Sequence, residues 1–194
     1  MNDYITETFN NQPIVQVSEK KYCINSITDH LPITRPGLLQ QIINEMTEKI
    51  NYESADFLVG EEDRGGYICA LMSVAWKKPF TLTKWNPSGF EGDVLIEFRN
   101  AYTHGNLYLN GIKEMKGKKV IIVEDIIDTG GTIIAMTNLL RAHDIEVIGI
   151  IAVAEKVDYK GLERVELETG ITPKVLVSFS SNETKSSVIN RYNS

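Results

Sequence analysis

The chain has 194 residues, of which 42% are hydrophobic and only two are cysteine, and its formal net charge is −6. This length and apolar content suffice for one domain, spanning 1–194, whose core needs neither disulfides nor a structural metal. The acidic balance argues against sequence-independent nucleic-acid binding, and the lack of a basic amino-terminal start or a long apolar run predicts a cytoplasmic protein without membrane contact.

Segments with strand and helix patterns alternate along the chain, with no internal repeat or linker that would divide it. Near the amino terminus, short strands at 14–17 and 22–24 are predicted around a polar turn at 18–21, and a helix begins near Pro36. The core is predicted to contain, in order, strand 56–60, helix 66–76, strand 79–83, strand 120–124, helix 131–142, strand 146–154, a short helix at 159–168 and strand 174–179. This alternation is typical of an α/β fold in which helices cover both faces of a parallel sheet.

The segment 84–117 interrupts this alternation, because it is rich in Gly, Pro and Asn around a short alternating stretch at 106–110. Long insertions in compact domains are often lids or binding loops. The segment is therefore interpreted as an excursion from the core that serves a binding site.

The segment 120–132, VIIVEDIIDTGGT, carries the strongest functional signal. An apolar strand leads into two adjacent carboxylates, Glu124 and Asp125, and a helix then opens with the turn formed by Asp128, Thr129, Gly130, Gly131 and Thr132. Free backbone N–H groups at a helix start, together with threonine hydroxyls, form a cup for a phosphate. Because like charges repel, the two carboxylates are expected to face hydroxyls, a metal or a cationic transition state instead.

This pattern resembles the phosphoribosyl pyrophosphate signature of type I phosphoribosyltransferases. The resemblance implies that Glu124 and Asp125 bind the ribose hydroxyls and also carry Mg²⁺ through the ribose and pyrophosphate, while the turn from Asp128 to Thr132 holds the 5′-phosphate. It also implies a central, mostly parallel five-stranded sheet flanked by helices, and a homodimer.

Two further parts of the fold are expected from the same resemblance. A small hood is formed mainly by 12–35 and the carboxyl-terminal segment, and a flexible catalytic loop lies within about 85–112. Its tip is placed at 101–106, where Tyr102 and Thr103 close over the site and take part in catalysis.

A second loop, GEEDRGG at 60–66, follows the first core strand and precedes a helix. It resembles the pyrophosphate loop of purine phosphoribosyltransferases, which assigns pyrophosphate binding to Glu62, Asp63, Arg64 and Gly65. Acidic residues suit this place when Mg²⁺ is bound to the phosphate oxygens; the alternative is a solvated acidic turn. Lys84 stands where the family has a second pyrophosphate contact, although many relatives have Arg-Lys and this chain has Thr-Lys.

The base-binding residues are predicted to be Asp29, Ile126 and Lys156. The segments 27–32 and 102–112 resemble archaeal-type hypoxanthine phosphoribosyltransferases, and Lys156 belongs to a Glu-Lys pair that resembles those of xanthine and archaeal-type enzymes. An ammonium group can donate to a 6-oxo group but faces another donor in the amine of adenine. The alternatives are that Asp29 caps a turn, that Ile126 is a core residue, and that Lys156 pairs with an acid at the surface.

The resemblance therefore predicts a purine-salvage enzyme that uses phosphoribosyl pyrophosphate and Mg²⁺ to convert hypoxanthine or guanine into its nucleoside monophosphate. Adenine or xanthine is an alternative substrate; Ala101, where adenine-type enzymes commonly have glutamate, argues against adenine, and the acids at 61–63 argue for it. A non-catalytic sensor of phosphoribosyl pyrophosphate and an enzyme acting on an unusual heterocycle are further alternatives.

Overall fold

The computed structural model describes residues 3–17, 20–99 and 104–192. Their helices and strands are, in chain order, α1 Tyr4–Phe9, β1 Ile14–Val17, β2 Lys20–Cys23, α2 Pro36–Lys49, β3 Phe57–Glu61, α3 Gly66–Trp76, β4 Phe80–Thr83, β5 Val94–Arg99, β6 His104–Leu109, α4 Ile112–Met115, β7 Lys119–Ile127, α5 Gly131–Ala142, β8 Glu146–Lys156, α6 Gly161–Thr169, β9 Lys174–Ser181 and β10 Ser186–Arg191. Within this part of the chain, no helix is long and apolar enough to cross a membrane.

The central sheet has six strands in the order β10, β9, β8, β7, β3, β4. The five strands from β9 to β4 pair in parallel, as predicted, and β7 and β8 are buried along almost their whole length, with apolar residues in their central parts. Such strands are typical of a sheet covered on both faces. The sixth strand, β10, runs antiparallel to β9 at the sheet edge and was not predicted.

Helices cover both faces of the sheet, as predicted. On one face, α2 and α3 pack side chains such as Ile42, Met46 and Met72 into a hydrophobic core. On the other face, α5 and α6 contribute to a second core that includes Leu140 and Val165. The carboxyl ends of the parallel strands remain uncovered by these helices, which places any ligand site at that edge.

Two hairpins lie outside the central sheet. Strands β1 and β2 form an antiparallel pair in the predicted hood, although β2 begins at Lys20, two residues before the predicted start. In the excursion, β5 pairs antiparallel with β6, and a backbone bridge between Lys84 and Tyr108 ties this hairpin to the end of β4. The predicted catalytic residues Tyr102 and Thr103 lie outside the described residues.

Candidate active site

A cavity of about 360 Å³ opens at the carboxyl ends of β3, β7, β8 and β9. Most of the predicted site residues line it, namely Asp63, Arg64, Glu124, Asp125, Ile126, Asp128, Thr129, Gly130, Gly131, Thr132 and Lys156. Segments far apart in the chain therefore meet at one edge of the sheet. Four other predicted residues, Asp29, Glu62, Gly65 and Lys84, do not line the cavity.

The two acidic residues of β7 are buried in the middle of the cavity wall. Glu124 and Asp125 are each only 6% exposed, and Oε1 of Glu124 has no hydrogen-bond partner among the described residues. Burial, together with the charges of Asp125 and Glu61, raises the pKa of Glu124 well above its ordinary value. Burial also raises the pKa of Asp125 to about 6, against the lowering effect of hydrogen bonds from the Ile126 amide and the Thr28 hydroxyl.

This negative charge fits a ligand that donates hydrogen bonds or carries positive charge. Sugar hydroxyls, a hydrated divalent cation and a cationic transition state each meet the unpartnered oxygen of Glu124 with the required polarity. In the described part of the chain, no three His, Cys, Asp or Glu side chains cluster as a metal-binding group. The two carboxylates in the cavity wall fit an ion that is shared with a phosphate ligand, which is how Mg²⁺ is usually bound.

The predicted phosphate turn forms a tight cup at the start of α5. Gly130 adopts a left-handed conformation with φ 73°, and a Cβ there would lie 2.4 Å from Cγ2 of Val165. A Cβ on Gly161, the first residue of α6, would lie 2.1 Å from the carbonyl oxygen of Asp128. The start of α6 thus supports the turn from behind, and the N–H groups of α5 open toward the cavity.

The predicted pyrophosphate loop follows β3, and its acidic residues have separate roles. The buried carboxylate of Glu61 accepts a hydrogen bond from the backbone N–H of Asp63 at 3.1 Å. Burial and the nearby charge of Asp63 raise the pKa of Glu61. Glu62 turns away and accepts the backbone N–H of Trp85 at 2.7 Å, which ties the loop to the excursion. The Arg64 guanidinium lies 5.5 Å from the centre of the Tyr22 ring in the hood. Pyrophosphate binding by Glu62, Asp63, Arg64, Gly65 and Lys84 stays a prediction.

Lys156 lines the cavity at the end of β8 and is only 2% exposed. Its ammonium group donates to the carbonyl oxygen of Lys21 and lies 5.0 Å from the centre of the Tyr159 ring. The alternative of a surface ion pair is wrong, because the side chain is buried in the cavity wall.

The other two predicted base contacts occupy different places. Ile126 lines the cavity. The Asp29 carboxylate instead accepts a hydrogen bond from the backbone N–H of Asn25 at 3.1 Å and acts as a turn cap. Base binding by Asp29, Ile126 and Lys156 stays a prediction.

Several lining residues were not predicted as site residues. The hood supplies Lys21, Tyr22, Cys23 and Thr28, and Tyr159 and Phe179 follow or end strands of the sheet. A signal for Tyr159 and Phe179 was present, because residues at the carboxyl ends of neighbouring parallel strands share one edge. Thr28 belongs to the segment 27–32, whose resemblance already pointed to the site, but the sequence offered no comparable signal for Lys21, Tyr22 and Cys23, whose position depends on how the β1–β2 hairpin packs on the sheet.

Comparisons with known proteins show what the chain is similar to. The family model described as phosphoribosyl transferase domain matches residues 33–174. Hypoxanthine/guanine phosphoribosyltransferase of Methanocaldococcus infernus is 34% identical over 173 residues, which cover 89% of this chain and 92% of the relative. The protein of the same name from Methanothermus fervidus is 30% identical over 190 residues, which cover 98% of each chain.

Solved structures show the same fold. Adenine phosphoribosyltransferase from Thermoanaerobacter pseudethanolicus aligns with a TM-score of 0.77 at 21% identity, covering 91% of this chain and 99% of that one. The adenine enzyme from Trypanosoma brucei, in complex with AMP, pyrophosphate and ribose-5-phosphate, aligns with a TM-score of 0.73 at 16% identity, covering 93% and 81%. At these identities the likeness extends to the fold alone.

Proposed function

The chain belongs to the phosphoribosyltransferase family, and we propose from this premise that it transfers ribose 5-phosphate from phosphoribosyl pyrophosphate to hypoxanthine or guanine. The products are the nucleoside monophosphate and pyrophosphate. This activity is purine salvage in the cytoplasm.

The observation that carries the choice of base is the buried ammonium group of Lys156 at one end of the cavity. A buried cation needs acceptors around it, and the carbonyl oxygen of Lys21 supplies one. The 6-oxo group of hypoxanthine or guanine would supply another, whereas adenine presents an amine at the same position. The names of the two archaeal relatives support the same class of substrate.

The proposed reaction is a displacement at the anomeric carbon through a transition state that is cationic at the sugar. The cup from Asp128 to Thr132 holds the 5′-phosphate, and the carboxylates of Glu124 and Asp125 orient the ribose hydroxyls and add negative potential beside the developing oxocarbenium ion. A purine nitrogen forms its bond to the anomeric carbon as the bond to the pyrophosphate oxygen breaks, which inverts that centre, and the proton on that nitrogen passes to the leaving pyrophosphate or to solvent. Positioning and preorganised electrostatics suffice, so no covalent nucleophile is needed.

Magnesium fits this site because the buried carboxylates present an oxygen that lacks a protein partner. Glu124 and Asp125 would hold the ion through the ribose and pyrophosphate, and Asp63 lines the same cavity. When bound, the ion neutralises charge on the leaving pyrophosphate.

Tyr102 and Thr103 are proposed to close over the cavity and exclude water that would hydrolyse the activated sugar. A homodimer is proposed from the family resemblance.

The test is to incubate the purified protein with phosphoribosyl pyrophosphate, Mg²⁺ and one of hypoxanthine, guanine, xanthine or adenine, and to follow nucleotide formation. We expect turnover of hypoxanthine or guanine that is lost in Asp125→Asn. Turnover of adenine alone would contradict the proposed base. Binding of phosphoribosyl pyrophosphate without turnover of any base would contradict the proposed activity and favour a sensor or an unusual acceptor.

A further inference from the structure

A direct hydrogen bond joins the hood to the acidic pair of β7. Oγ1 of Thr28 donates to Oδ2 of Asp125 at 3.0 Å, although the two residues are 97 positions apart in the chain. Thr28 also lines the cavity beside Asp125. The hydroxyl therefore contacts one of the two carboxylates assigned to the ribose.

The loop that carries Thr28 is held in place by side chains of its own. Asn25 is fully buried, and its Oδ1 accepts the backbone N–H groups of Ile27 and Thr28, each at 2.9 Å. The Asn25 amide nitrogen in turn donates to the carbonyl oxygen of Cys23 at 2.9 Å. These bonds fix the backbone at Thr28 relative to strand β2, and they thereby fix the position of the Thr28 hydroxyl.

The same loop is also anchored on the core. The phenol of Tyr67, which lies on α3, donates to the carbonyl oxygen of Ile27 at 2.6 Å. The Ile27 side chain is fully buried in the core that α2 and α3 form with the sheet. Because α3 follows the predicted pyrophosphate loop, one connected set of contacts links that loop, the hood and the acidic pair.

We propose that Thr28 is a positioning residue for the transferase reaction, which holds the Asp125 carboxylate in the orientation that the ribose hydroxyls require; this inference rests on the proposed function. An aspartate carboxylate can rotate about its last side-chain bond, and a fixed donor on one oxygen selects one orientation. The other oxygen and the remaining lone pairs then face the ligand. The hood thus takes part in the sugar half of the reaction as well as in binding the base.

The first test compares Thr28→Val, which keeps the shape and removes the donor, with Thr28→Ser, which keeps the donor. We expect Thr28→Val to lower kcat about ten-fold, in line with loss of one hydrogen bond to a charged group, while KM for the base changes by less than about two-fold. Thr28→Ser should restore most of kcat. The matched control is Thr34→Val, since Thr34 is a hood residue whose hydroxyl is hydrogen-bonded to the Ser26 carbonyl and to Nδ1 of His30, whereas the Thr28 hydroxyl is the one bonded to Asp125.

Two outcomes of this test would overturn the inference. A higher KM for the base at unchanged kcat would show that Thr28 contacts the base. Equal losses in Thr28→Val, Thr28→Ser and Thr34→Val would show a general packing role. Circular dichroism checks folding, and Thr28→Ala replaces the valine variant if that variant does not fold.

The second test does not depend on turnover. The affinity for phosphoribosyl pyrophosphate with Mg²⁺ is measured by calorimetry in wild type, Thr28→Val, Asp125→Ala and the double variant. We expect Thr28→Val to weaken binding several-fold in wild type and to have no further effect once Asp125 is removed, because the two side chains act as a unit. Additive losses would overturn the inference, and absence of turnover in wild type would overturn the proposed function alone.

Discussion

The carboxylate of Glu124 lies directly against the backbone of Gly65, so that a Cβ at residue 65 would be 2.2 Å from Oε2. Gly65 has φ −76°, a backbone conformation open to any residue. The proximity of the acid therefore requires glycine at this position, while pyrophosphate binding by Gly65 stays a prediction.

Gly65→Ala should displace the Glu124 carboxylate and lower kcat/KM about a hundred-fold, because small displacements of positioned groups have effects of this size. The measurement is steady-state kinetics with hypoxanthine, together with a thermal melt. The same substitution is also made in a Glu124→Asp variant, in which the shorter side chain leaves space for the added methyl group. Gly65→Ala should lower the melting temperature less in that background, and an equal decrease in both would contradict the steric argument.

Glu124→Gln should raise the stability of the ligand-free protein while removing activity. The folded-state pKa of Glu124 lies well above its ordinary value of 4.5, so the free energy of unfolding falls as the pH rises above about 4.5. Glutamine is neutral and escapes this penalty, as expected where function opposes stability.

The gain in melting temperature for Glu124→Gln should therefore be larger at pH 8 than at pH 5, as measured by scanning calorimetry without substrate. The control is Glu183→Gln, since Glu183 is exposed and does not line the cavity. A gain that does not depend on pH would argue against a raised pKa for Glu124 in the folded protein.

The signature strand and its turn could be predicted because their information is local. The run from Val120 to Val123 is apolar and β-branched, which is typical of a buried parallel strand, and the glycines and threonines after it permit the turn and the helix start. The acids and the phosphate cup then follow from chain order, since the carboxyl ends of parallel strands share one edge.

Long-range packing could not be predicted in the same way. Strand β10 carries few apolar residues and shows a register shift between Val188 and Asn190, so its sequence lacks a clear alternating pattern. The bond from Thr28 to Asp125 depends on how the hood folds over the sheet, for which no local signal exists. The ammonium group of Lys156 donates to the main-chain carbonyl of Lys21. A main-chain acceptor does not depend on residue type, so no sequence pattern predicts it.

Lys156→Gln should lower kcat/KM for hypoxanthine about a hundred-fold, since a charged hydrogen bond to the 6-oxo group is lost in a buried site. Adenine should remain a poor substrate. The measurement is kcat/KM for each base, and the matched control is Lys160→Gln, because Lys160 is exposed and lies only four residues further along the chain. Equal effects of the two substitutions would contradict a specific role for Lys156.

Gly161→Ala should weaken binding of phosphoribosyl pyrophosphate, because the added methyl group would push the Asp128 carbonyl and distort the phosphate cup. We expect at least a ten-fold higher KM for phosphoribosyl pyrophosphate, in line with the effect of misplacing a binding group. The control is Gly170→Ala at the other end of α6, where φ is 70° and no atom lies within 4 Å of the added Cβ. That substitution should cost about 1 kcal/mol of stability through backbone strain and leave KM unchanged.

Asp3 should stabilise the fold at neutral pH by joining the two ends of the described chain. Its carboxylate contacts Arg191 at 3.2 Å, and Arg191 also contacts Glu45 at 2.6 Å. Burial raises the pKa of Asp3, but hydrogen bonds from Thr6 and Arg191 outweigh it and lower the pKa from 3.8 to about 2. A depressed pKa gives stability that is present above pH 3.8 and is lost as the pH falls toward 2.

Asp3→Asn should therefore be less stable than wild type in denaturant titrations at pH 6, and the difference should shrink between pH 4 and pH 2. Asp144→Asn, which removes only the exposed ion pair with Lys116, should differ little from wild type throughout. A difference for Asp3→Asn that stays constant with pH would show that Asp3 acts through packing and its charge is not required.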